Sequence, residues 1–126
     1  MKHKTSTLEG PLLDAAVAKA EGYGELEGLK VYIDCCWVAE LNEHDQYIQD
    51  IPFEPSSDWN IGGPIIQREK ISVVRDALDA EDRWTAGAKF WIEGGFDEIM
   101  EFGPTPLIAA MRAFVASKLG DEVELP

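Results

Sequence analysis

The chain has 126 residues, the size of a single domain, and 45% of them are apolar, including four Trp, five Phe and three Tyr. That suffices for a core without metal or disulfide support and excludes a disordered chain. Twenty-four acidic residues against 11 basic ones give a formal net charge of −13, which argues against nucleic acid and anionic membranes as partners.

Residues 10–21, GPLLDAAVAKAE, read as a first helix, with Pro11 at an early helical position, Leu13, Ala16, Val17 and Ala20 on one face, and Gly22 as its stop. Residues 29–40, LKVYIDCCWVAE, read as a strand, because Leu29, Val31 and Ile33 alternate with Lys30, Tyr32 and Asp34. Residues 41–63 carry Asn, Asp, Pro, Ser and Gly without a period and are expected to form a long loop containing Trp59, Gly62 and Gly63. Pro64 is expected to open a short helix over 64–69, followed by a strand at 71–75 and an exposed acidic connection, DALDAED, at 76–82. Trp84, Ala86, Ala88, Phe90 and Ile92 share one strand face, Gly94-Gly95 marks a turn, and residues 96–102 complete a hairpin.

The last element has the clearest punctuation. Thr105 is placed to cap, Pro106 sits in the first turn, and Gly120 ends the helix after Lys118. Leu107, Ile108, Met111, Phe114, Val115 and Leu119 form a broad apolar stripe with Arg112 at its edge. Ala109, Ala113 and Ala116 line another side, open either to the first helix or to a second copy of the chain. The acidic tail at 121–126 reads as loose or as an edge strand. The order predicts one α+β domain over residues 1–126: a small antiparallel sheet packed by an N-terminal and a C-terminal helix, with the long Trp/Gly-containing loop.

Three stretches carry a resemblance: TSTLEGPLLDAAVAKAEG, PSSDWNIGGPIIQREKI and FGPTPLIAAMRAFVASKLGDEVELP. Together they cover about half of the chain, and it resembles through them the NinX-like phage protein family of tailed phages and prophages. The resemblance implies a phage or prophage accessory protein acting in the host bacterial cytoplasm. The family supplies no agreed catalytic residues to carry over. Ala20 stands where relatives often have Cys, and the segment 70–98 looks longer than in typical members.

No metal site is expected, because His3 and His44 lack ligand spacing and the chain has neither HExxH nor CxxC. Cys35 and Cys36 are adjacent and read as free thiols, without a cation nearby to activate them. No cofactor motif is present, and the Ser-Asp pair at 57–58 lacks the positioned His and the GxSxG of a hydrolase. The remaining candidate is anion binding. Gly62 and Gly63 before a helix, and Thr105 before the last one, offer backbone N–H groups. Arg68 and Arg112 offer guanidinium groups, Trp59 a ring to stack, and Ser57 and Asp58 polar side chains. The same residues also read as a core plug, a turn and ion pairs. The leading expectation is a non-enzymatic module that binds a host or phage protein. The alternative is a binder of a nucleotide or other small anion, for example one that sequesters a host immune signal. Nucleic acid and membranes are not expected as partners, and a second copy of the chain is an open one.

Overall fold

The computed structural model describes residues 1–23, 30–31, 35–75, 83–92 and 95–125. Chain order is β1 (Lys2–Lys4), a 3-10 turn (Thr5–Thr7), α1 (Gly10–Ala20), β2 (Lys30–Val31), β3 (Cys36–Leu41), β4 (Tyr47–Pro52), α2 (Trp59–Glu69), β5 (Ser72–Arg75), β6 (Trp84–Ile92), β7 (Gly95–Gly103), α3 (Pro106–Leu119) and β8 (Glu122–Glu124). The expected α+β class holds, and both terminal helices pack on antiparallel strands. Those strands form three small sheets, β1-β8, β2-β3-β4 and β5-β6-β7.

α3 is the organising element, in contact with α1, α2 and the β5-β6-β7 sheet. Thr105 caps it by accepting from Ile108 N at 3.1 Å, and Pro106 follows in the first turn, as its sequence requires. Gly120 closes it at φ 88°, a left-handed value that favours glycine. Its burial is nearly all-round: Leu107, Met111, Phe114 and Val115 are buried, and so are Ala109, Ala110, Ala113 and Ala116. The alanine side is therefore occupied within the chain and is not a surface open to a second copy. Leu13 and Val17 of α1 and Cys36 and Val38 of β3 complete the core.

The β6–β7 hairpin follows the expected alternation. Ala86 and Ala88 are buried, and Ile99 and Glu101 stand opposite them on the same face. Phe90 and Ile92 belong to β6, but their side chains fall outside the described part of the structure. Residues 29, 32–34, 76–82 and 94 also lie outside it, so the acidic connection and part of the first expected strand and of the turn are not described.

Three expectations are corrected. The segment read as one strand over 29–40 contains two that pair with each other, Lys30 opposite Trp37 and Val31 opposite Cys36. The long loop over 41–63 does not exist as such. Asn42 accepts from His44 N at 2.8 Å and Gln46 N at 3.0 Å, a side-chain-made turn that brings β4 back onto β3. β4 escapes an alternation search because Tyr47, Ile48 and Gln49 are all exposed on an edge strand.

The last five residues of that expected loop belong to α2, which starts at Trp59 and not at Pro64. Asp58 caps it by accepting from Asn60 N at 2.9 Å, and Gly62 N bonds Asp58 O at 2.9 Å. Pro64 therefore lies inside the helix, where it forgoes one backbone bond. Gly62 is tolerated, and required, because the helix is pressed onto its neighbours there. A Cβ at that position would stand 2.7 Å from Leu107 Cδ2 and closer still to the Pro55 carbonyl oxygen.

The acidic tail forms an edge strand, as one of its two readings allowed. β8 pairs antiparallel with β1, His3 opposite Val123. Buried Thr5 fixes the join, its N bonding Asp121 O at 2.8 Å and its Oγ1 donating to Gly120 O at 2.7 Å.

Candidate functional site

The eight expected site residues do not converge on one place. Ser57, Trp59 and Thr105 line a shallow cleft of about 320 Å³ between the starts of α2 and α3, walled also by Pro106, Leu107 and Ile108. Trp59 is 56% exposed, so it is not a core plug. Several polar groups here are already engaged. The Asp58 carboxylate caps α2, the Thr105 hydroxyl caps α3, and Ser56 N donates to buried Asp14 at 2.9 Å.

The expected anion cradle of Gly62, Gly63 and Arg68 is not assembled. Both glycines lie within α2, where Gly62 N serves the helix ladder. Arg68 stands in the last turn of α2 and forms a double hydrogen bond to Glu21, with Nη1 to Oε2 at 3.2 Å. Glu69 lies 3.5 Å from Arg68 and 3.3 Å from Lys118 Nζ. The Arg68 guanidinium also stands 5.8 Å from the Phe114 ring centre. The bond to Glu21 raises the Arg68 pKa above its ordinary value. This arginine joins α1 to α2 and carries its own counterion.

Asp14 ties the segment before α2 to α1. Burial pushes its carboxyl up to about 6, against the opposing effect of hydrogen bonds from Ser56. Burial, with Asp14 as a neighbour, also pushes the Cys36 thiol up to about 12, so it is protonated and inert at neutral pH. Cys35 accepts a bond from Trp37 Nε1 at 3.0 Å, and both thiols are free.

Arg112 stands elsewhere. It projects from the edge of the α3 stripe into a concavity of about 310 Å³, shared with Ser6, Arg83, Glu101 and Phe102. Its Nε donates to Leu8 O and its Nη1 to Phe102 O, both at 2.7 Å. Among the described residues no carboxylate forms an ion pair with it, although acids outnumber bases by more than two to one in the chain. Burial lowers its pKa from the ordinary value, and the fields of Glu9 and Glu101 only partly offset that. Burial likewise raises the pKa of Glu101, with Arg112 opposing and Asp121 reinforcing. Arg83 covers the Phe102 ring at 4.2 Å.

Ser6, Arg83 and Glu101 were not among the expected site residues. For Glu101 a signal existed: strand alternation puts it on the face of Ile99, the face turned to α3, where a carboxylate is out of place. Ser6 and Arg83 carry no comparable local mark.

Among the described residues no group of three or more His, Cys, Asp or Glu is arranged to hold a metal, and no helix is long and apolar enough to cross a membrane. No curated protein matches the sequence. The family model described as "Bacteriophage P22, NinX" matches residues 4–118, a span that includes α1, the Trp59 cleft, Arg112 and nearly all of α3. The chain belongs to the bacteriophage P22 NinX family.

Proposed function

We propose that this phage-family protein is a non-enzymatic accessory protein that acts in the host cytoplasm by binding a protein with a basic surface. The observation that supports the reading is the outer face of the β5-β6-β7 sheet, turned away from α3. Val74, Thr85 and Phe102 form one cross-strand row there, and Met100 lies next to Phe102 on the same face. Val74 is 61% exposed, Met100 57% and Phe102 42%. Contiguous exposed apolar side chains of this kind mark contact surfaces more often than they mark inert ones. Glu98 extends over Gly87 on that face, and the net charge of −13 adds a field that attracts a basic partner.

The test is affinity capture from phage-infected cells with the native chain and with a Val74→Lys, Met100→Lys double variant. The reading expects a basic protein at near-stoichiometric yield with the native chain and its loss with the variant. Capture of no reproducible partner, or equal capture by the variant, removes it.

A second reading, a binder of a small anion, is supported by Arg112. Its guanidinium is half-buried, faces a concavity, and is held by carbonyl oxygens, with no ion pair to a carboxylate among the described residues.

A further inference from the structure

The concavity at Arg112 continues into a second one. A hollow of about 290 Å³ is lined by Lys4, Ser6, Glu101, Asp121 and Glu122. Ser6 and Glu101 line both hollows, so the two form one groove with unlike ends. One end presents Arg112 and Arg83 beside the Phe102 ring. The other presents Glu101, Asp121 and Glu122, with Lys4 as the one base among its described lining.

The chemistry of each end is specific. An arginine has five N–H donors, and two of those of Arg112 are engaged by carbonyl oxygens. Among the described residues no bond engages Nη2, whose two N–H groups are free to meet the oxygens of a carboxylate or phosphate. The carbonyl bonds fix the plane of the guanidinium, so an arriving anion meets a pre-oriented donor. At the far end three carboxylates, those of Glu101, Asp121 and Glu122, share the described lining with one base, Lys4. Glu101 is the bridge, because it lies within electrostatic reach of both Arg112 and Asp121. A simple anion satisfies Arg112 but worsens the field at Glu101, and a simple cation does the converse. Only a molecule with both charges satisfies the whole groove.

We propose that the groove binds a small zwitterion, with its acidic group on Arg112 and its amine between Glu101 and Asp121. This rests on the second reading above and deepens it by naming the ligand class. The sheet face proposed for protein contact is a different surface, although Phe102 borders both.

Titration calorimetry of the full chain with aminocaproate, caproate and hexylamine tests the proposal. These probes share a chain length and differ only in which charged ends they carry. Aminocaproate is expected to bind about tenfold more tightly than either analogue, the factor that about 1.4 kcal/mol from the second charge contact provides. Glu101→Gln is expected to bring aminocaproate down to the affinity of caproate while leaving caproate binding in place, and Arg112→Lys, which keeps the charge but loses the paired donors, to weaken both acids. A thermal melt of each variant verifies folding. If caproate binds as tightly as aminocaproate in the native chain, the zwitterion falls and the anion reading stands. If no acid binds at tens of millimolar, both fall.

Discussion

The Trp59 cleft and the Arg112 end of the groove are similar in size, and they differ in what their side chains have left to offer. The cleft has the more conspicuous sequence: Ser57, Asp58, Trp59, Gly62 and Gly63 within seven residues. Yet Asp58 and Thr105 are engaged as caps, Gly62 in a close approach, and Arg68 by Glu21. The groove has an unremarkable sequence, one arginine near the middle of an alanine-rich helix. Among the described residues its guanidinium forms no ion pair with a carboxylate. A binding site is better recognised by unspent hydrogen-bonding and charge capacity than by rare residue types.

That contrast predicts that substitutions around the cleft change stability and leave groove binding alone. The largest effect is expected for Gly62→Ala. The added methyl meets the Pro55 backbone and Leu107, and α2 must shift off α3. A loss of about 3 kcal/mol in chemical denaturation is expected, at the upper end for overpacking, with aminocaproate affinity unchanged after correction for the folded fraction. A loss below ~1 kcal/mol would show that α2 is less tightly seated than its geometry indicates.

Asp14 gives a smaller effect with a sign. Its carboxyl titrates near 6 in the folded chain against 3.8 ordinarily, so between those values the native state holds a proton that the unfolded state has lost. Its contribution to stability therefore increases as pH falls from about 7 to about 4 and is lost as pH rises through 6. Asp14→Asn keeps an oxygen to accept from Ser56 N and removes the titration. The stability difference between the native chain and this variant is expected to move by roughly 2 to 3 kcal/mol over that range in favour of the native chain at low pH. Parallel pH profiles would refute the assignment.

Trp59→Ala is expected to give the smallest change, within about 0.5 kcal/mol, because the ring is mostly exposed and exposed positions tolerate substitution. Groove binding should again be unaltered. A change in aminocaproate affinity would couple the two sites and weaken the contrast.

The legibility of the fold follows the range of the interactions that make each element. α1, α3 and the β6–β7 hairpin were readable because caps, prolines, terminal glycines and alternation act within a few residues. α2 was misplaced because Gly62, Gly63 and Pro64 oppose helix locally, while Asp58 and packing against Leu107 favour it. β4 was missed because its exposed residues leave no pattern, and its partner β3 supplies the order. Arg112 is legible in the sequence as a stripe-edge residue, but its partners are not. Leu8 and Phe102 are 104 and 10 residues away, and they accept through backbone oxygens that no residue type announces.

The β1–β8 pairing has a consequence for the order of events on the ribosome. Lys2 lies opposite Glu124, and Leu125 N bonds Met1 O at 3.1 Å, so β1 emerges well ahead of β8 and waits for it before it can pair. Helices and hairpins of local origin can form during synthesis, but closing a loop of this length cannot. Thr5 must wait in the same way, because Asp121 and Gly120 are its partners. The floor of the zwitterion groove includes Lys4, Ser6, Asp121 and Glu122, which flank this join. A nascent chain therefore has no complete groove until its C-terminal segment has emerged and docked, which ties ligand competence to completion of the fold.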